Sequence, residues 1–190
     1  MKSFSSIELN EAGALMRGGG VLAYPTEAVY GLGCDPFNEA AVLKMFALKQ
    51  RDPGQGFLLI AATAEQLEPF VDWAALSAAR GREVRASWPG PITWVLPRSS
   101  TAPRLVTGAH EGIAVRVTDH SIAAALCRAF DGAIVSTSAN LHGMRPAVSA
   151  KEVRAQFSEL HLDAIVEGDV GQLLRPTPIH DGLTGRVLRH

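Results

Sequence analysis

The sequence predicts an α/β fold, an open, twisted mixed sheet with flanking helices. Short apolar runs of strand length alternate with amphipathic stretches of helical period, which is the pattern of a sheet covered by helices. Apolar residues make up 47% of the 190 positions and charged residues 19%, a balance that fills the core of an ordered globular chain. Phe57 to Ala62 is apolar almost without interruption, as expected of a central strand buried on both faces. One domain over residues 1–190 is expected, with no internal repeat.

Taken in order, Ser5-Ser6-Ile7-Glu8 has the form of a capping box and opens an amphipathic helix through Leu9, Ala12, Leu15 and Met16, which Gly18-Gly19-Gly20 ends. Val21 to Tyr24 follows as a strand stopped by Pro25, and Thr26 to Asp35 reads as a loop because of Gly31 and Gly33. Asn38 caps a second helix whose buried face is Ala41, Val42, Met45 and Phe46 and whose end delivers Lys49 and Arg51. After the Phe57 to Ala62 strand, Thr63 with Gln66 reads as another capping box, with helical segments at Glu65 to Val71 and Leu76 to Ala86. Pro89-Gly90-Pro91 breaks the chain before a strand at Ile92 to Leu96. Ile113 to Val117 is a strand leading through Asp119 into a helix at Ile122 to Phe130, and Gly132 to Val135 is a buried strand. Ser149 and Glu152 cap a helix running toward Phe157, and short strands close the chain near Leu162 to Val166 and Arg186 to Leu188.

Several function classes are excluded early. No apolar run reaches membrane-spanning length and Met1 to Asn10 lacks the regions of a signal peptide, so a cytoplasmic protein without membrane contact is expected. Cys34 and Cys127 are far apart and have no CxxC partner. The histidines, His110, His120, His142, His161, His180 and His190, fall at no helical metal spacing, so no protein-held metal is expected. Gly18-Gly19-Gly20 precedes a strand, whereas phosphate loops follow one. No GxSxG surrounds Ser136 or Ser138, which disfavours a serine nucleophile.

Net charge is −1, with the positive excess in the middle third, and arginine, whose planar fork suits phosphate and carboxylate, outnumbers lysine. Ser136-Thr137-Ser138-Ala139-Asn140 crowds hydroxyls and an amide at the end of a strand, either a ligand site or a polar turn. Pro25 to Gly33, PTEAVYGLG, pins a strand end with glycines behind it, which lets backbone approach a ligand. Lys49-Gln50-Arg51 sets two cations at a helix end, for the helix dipole or for an anion. Pro89-Gly90-Pro91-Ile92-Thr93 adds a rigid turn with Thr93 as a ligand hydroxyl. Arg116, in the apolar strand Ala114-Val115-Arg116-Val117, must reach water, a carboxylate or a bound anion.

Together and in this order, these segments resemble the YrdC family, the threonylcarbamoyl-AMP synthases. PTEAVYGLG is similar to the family's PTETVYGLG, KQR to its KxR, PGPIT to its PGPxT, AVRV with Asp119-His120 to its AVRxPxH, and STSAN matches its signature. Departures are Ala28 for threonine, Asp52 for a proline, Gly56-Phe57 for Pro-Leu, and His142-Gly143 for Ser-Gly. With the chain ending at His190, it resembles the short single-domain form, an open sheet with a concave basic surface.

The resemblance implies ATP-dependent condensation of L-threonine with bicarbonate or CO2 to L-threonylcarbamoyladenylate and pyrophosphate, the first step of threonylcarbamoyladenosine formation in tRNA. It places Lys49 and Arg51 on the triphosphate, Arg116 on the threonine carboxylate or carbamate, and these three as the catalytic set. It further places Ser138, Asn140 and Arg189 at ATP, and Thr26, Ser136 and Thr177, within Pro176-Thr177-Pro178, at threonine. Mg2+ is expected to be held mainly by the ATP phosphates, with tRNA and separate threonylcarbamoyl-transfer proteins as downstream partners. A non-catalytic protein that binds double-stranded RNA or tRNA is the alternative from another class, with weak, salt-sensitive binding expected from the near-neutral charge. A carbamoyl-processing domain like that of hydrogenase-maturation proteins is a third reading.

Overall fold

The computed structural model describes residues 1–158, 162–175 and 177–189, so His161, Pro176 and His190 lie outside it. In chain order the regular elements are β1 (Lys2–Phe4), α1 (Leu9–Arg17), β2 (Leu22–Pro25), β3 (Tyr30–Gly33), α2 (Glu39–Lys49), β4 (Leu58–Ala61), α3 (Ala78–Ala86), β5 (Thr93–Pro97), α4 (Arg104–Thr107), β6 (Gly112–Val117), α5 (Ser121–Phe130), β7 (Ile134–Ser138), α6 (Ala150–Gln156), β8 (Ala164–Val166), β9 (Ile179–Asp181) and β10 (Val187–Arg189). The strands form one mixed sheet in the order β1-β8-β2-β3-β7-β4-β6-β5-β9-β10. β7 joins its two halves, pairing antiparallel with β3 on one side and with β4 on the other.

Strand periodicity sorts the side chains into two cores. Leu22, Tyr24, Ile60 and Ile134 face α1 and α5, whose buried residues include Leu9, Ala12, Met16, Ala123 and Leu126. Ala23, Leu32, Leu59, Val115 and Val135 face the opposite layer, which α2 fills with Val42, Met45 and Phe46 and α6 with Val153. Among the described residues no helix is long and apolar enough to cross a membrane.

Most helix boundaries follow local chemistry. Asn38 accepts from Ala41 N at 3.0 Å and starts α2, and Gln50 ends it in the left-handed region. Ser149 accepts from Glu152 N at 3.2 Å and starts α6, and Ser77 does the same for α3. At the amino end the box is displaced, because Ser5 N and Oγ both donate to Glu8 Oε2 and close a turn, so that α1 begins only at Leu9.

Four expectations are corrected. Tyr30 to Gly33 lies within the stretch read as a loop but is strand β3, in register with β2 so that Tyr24 opposes Gly31. Gln66 makes no box with Thr63; it accepts from Ala62 N at 2.7 Å and donates to Cys127 O at 3.2 Å, leaving one 3-10 turn at Glu65–Leu67 where a helix to Val71 was expected. The Gly132 to Val135 strand continues through Ser138, because Ser136 and Ser138 pair with Leu58 and Gly31. β1 and β9, each of three residues, were not foreseen.

Candidate active site

Residues 113, 115 and 117 of β6 belong to the α2 core, so period two turns Gly112, Ala114 and Arg116 to the other face of the sheet. The same rule turns Ser136 and Ser138 of β7, Leu58 of β4 and Val95 of β5 that way. All of them line one cavity of about 710 Å³. Of the residues expected at the site, Thr26, Arg51, Arg116, Ser136, Ser138, Thr177 and Arg189 line it together. Lys49 and Asn140 stand behind the wall and not in it.

Arg116 forms the floor. Its Nη2 donates to Glu27 Oε2 at 3.0 Å and its Nη1 to Thr177 Oγ1 at 2.7 Å, while its buried Nε has no partner among the described residues. Thr118 Oγ1 donates to the other Glu27 oxygen at 2.6 Å. Thus the buried arginine has both the internal carboxylate and the open cavity that its place in an apolar strand implied. Glu27 was not singled out from the sequence; the signal was available, since a buried arginine needs a buried acid. Backbone bonds from Gly171 N to Thr26 O at 2.9 Å and from Leu173 N to Glu27 O at 3.1 Å strap the following segment over this corner.

The two serines of β7 present opposite polarity. Tyr24 Oη donates to Ser136 Oγ at 2.9 Å, and burial pushes the phenol well up, so it keeps its proton. Ser136 therefore has its own proton free toward the cavity. Ser138 Oγ instead donates to Asn140 Oδ1 at 2.6 Å and leaves lone pairs free. Asn140 Nδ2 donates to Leu141 O and Met144 O, which fixes its orientation.

Lys49 braces this turn. Its ammonium donates to Ser138 O at 2.7 Å, Asn140 O at 2.6 Å and Asn140 Oδ1 at 2.8 Å, which uses all three N–H groups on the protein itself. Burial, helped by the Arg51 charge, brings its pKa down to about 8. Arg51 is held differently: its guanidinium lies 5.2 Å over the Phe57 ring, and its buried Nε is unpartnered among the described residues. Arg189 Nη2 donates to Thr177 O at 3.0 Å, and Thr26 Oγ1 to Val29 O at 2.7 Å. The cavity thus offers arginines, the Ser136 hydroxyl proton and backbone, a set suited to anionic oxygens. Burial pushes both cysteine thiols up, away from nucleophilic use.

The sequence model of the Sua5_yciO_yrdC family, described as telomere recombination, matches residues 14–190. A threonylcarbamoyl-AMP synthase of Halorhodospira halophila is 55% identical over 181 residues, 95% of this chain and 93% of that protein. P. abyssi Sua5 in complex with L-threonine superposes with a TM-score of 0.85 at 30% identity over 95% of this chain, which spans 53% of that one. E. coli YciO superposes with a TM-score of 0.85 at 27% identity over 100% of this chain and 96% of its own.

Proposed function

Because the chain belongs to the Sua5, YciO and YrdC family, we propose that it joins L-threonine, bicarbonate or CO2, and ATP into threonylcarbamoyl-AMP with release of pyrophosphate, the first step of threonylcarbamoyladenosine formation in tRNA. The observation that carries this is one cavity that joins a buried arginine floor and a free serine proton to a second set of cations. Arg116 and Ser136 hold the threonine carboxylate or carbamate, with Thr26 and Thr177 beside them. Arg51, Ser138 and Arg189 take the nucleotide.

The reaction needs threonine's amine neutral, so that its nitrogen bonds to the bicarbonate carbon as water leaves. A carbamate oxygen then attacks the α-phosphorus and pyrophosphate departs. No side-chain nucleophile is required. The protein contributes placement in line and charge for the phosphoryl oxygens. Glu27 is engaged by Arg116, so the donor set fits phosphate better than a metal, and magnesium enters with the substrate as MgATP. Lys49 acts through the turn it braces, which sets Ser138 against the nucleotide with Asn140 supporting it from behind. The product is a reactive mixed anhydride, to be consumed by proteins that transfer its threonylcarbamoyl group to tRNA with AMP as the leaving group.

The test is incubation with MgATP, bicarbonate and L-threonine, with mass spectrometry for threonylcarbamoyladenylate and pyrophosphate and each substrate left out in turn. Product that needs all three substrates supports the reading. Its absence, together with salt-sensitive binding of RNA, overturns it in favour of a nucleic-acid-binding protein.

A further inference from the structure

Tyr24 lies on β2 and Ser136 on β7, with β3 between them. The phenol crosses that strand because β3 carries glycine where it passes. A Cβ on Gly33 would meet Tyr24 Cε1 at 2.7 Å, and one on Gly31 would meet Tyr24 Cζ at 3.4 Å and Ser136 Oγ at 3.5 Å. The stretch that looked like a loop is thus a strand stripped of side chains on one face, where one ring passes, while Tyr30 and Leu32 fill the core on the other.

The direction of the resulting hydrogen bond follows from what surrounds it. Tyr24 is wholly buried, and apart from Ser136 its oxygen has, among the described residues, only Val135 O, at 3.5 Å, within reach. That distance is too long for a good bond, so a phenol that accepted from Ser136 would leave its own proton unpaired in the core. The phenol therefore donates to Ser136 Oγ at 2.9 Å. Among the described residues nothing accepts the Ser136 proton, and Ser136 lines the cavity.

We propose that Tyr24 is a positioning residue for the amino-acid substrate: its phenol fixes and polarises the Ser136 hydroxyl so that the serine proton is delivered to an oxygen of the bound carboxylate or carbamate. This rests on the assignment of Ser136 to the threonine end of the cavity. Tyr24 touches no substrate; its effect passes wholly through Ser136.

The experiment is a double-mutant cycle of Tyr24→Phe and Ser136→Ala, reading threonine affinity by calorimetry and KM and kcat by pyrophosphate release. Phe retains the ring that fills the gap above β3. Tyr24→Phe is expected to raise the threonine KM about five- to tenfold, the scale of one hydrogen bond, with the ATP KM unchanged. In the Ser136→Ala background it is expected to add nothing. A purely structural role would lower the amount of active enzyme with KM unchanged, or multiply the Ser136→Ala effect, and either result overturns the proposal. If Ser136→Ala itself leaves threonine affinity intact, the assignment of Ser136 falls and the proposal with it. If Ser136→Ala weakens threonine and Tyr24→Phe does not, only the proposal falls.

Discussion

Arg116 Nη2 and Glu27 Oε2 meet at 3.0 Å with their side chains 5% and 9% exposed, so the floor of the cavity is a nearly dry ion pair. Such a pair adds little over an apolar pair of the same size, but losing one partner strands the other charge. Glu27→Ala is expected to cost about 3 to 5 kcal/mol in stability. Urea denaturation measures it; a loss below about 1 kcal/mol, the scale of an exposed pair, would show that the floor is wet.

Arg51 is only half buried and its charge has no carboxylate partner among the described residues, so its removal should spare the fold. Arg51→Ala is expected to lower kcat/KM for ATP by about a hundredfold, the scale of one preorganised charged donor, with the melting temperature nearly unchanged. Pyrophosphate release kinetics and a thermal melt check both halves. Equal losses in stability and activity would contradict it.

Lys49 links pH to stability. Its folded pKa is brought down to about 8 from the 10.5 of an unperturbed lysine. Between these values the unfolded chain holds the proton and the folded one does not, so this group's contribution to stability rises with pH across that window. The stability of wild type relative to Lys49→Met should therefore grow from pH 8 toward pH 10.5, as read by urea melts at stepped pH. A constant difference would mean that the three acceptors keep the ammonium charged.

Gly33 has no room for a methyl group, since a Cβ would stand 2.7 Å from both Val135 O and Tyr24 Cε1. Gly33→Ala is expected to cost about 1 to 3 kcal/mol by overpacking. Gly31→Ala meets atoms only at 3.3 Å and beyond, and should cost less while raising the threonine KM through contact with Ser136. Chemical denaturation of both variants would expose an inverted order.

What could be read in the sequence was whatever announces itself locally. Asn38 and Ser149 cap helices by their own chemistry, the β4 run is apolar because both its faces are covered, and STSAN has the residue types of a ligand edge. Glycines in β3 give the same local signal as a loop; only Tyr24, arriving from the neighbouring strand, explains them. Tyr24 and Glu27 escaped notice because a tyrosine in an apolar strand looks like core and an acid in a loop looks like surface. Their roles come from residues distant in sequence, Ser136 and Arg116, and no local pattern encodes such a pairing. Lys49 was legible as a cation near the site, but its three bonds to the Ser138–Asn140 turn depend on how α2 docks against β7.

The opposed hydroxyls of Ser136 and Ser138 give the cavity a sense of direction. A ligand entered end for end would set carboxylate oxygens against the Ser138 lone pairs and its own hydroxyl protons against the Ser136 proton, a mismatch at both places. Two residues of one strand, tuned by neighbours on either side, thereby favour one orientation of the guest. A short amino acid and a long nucleotide can share a single opening without exchanging seats.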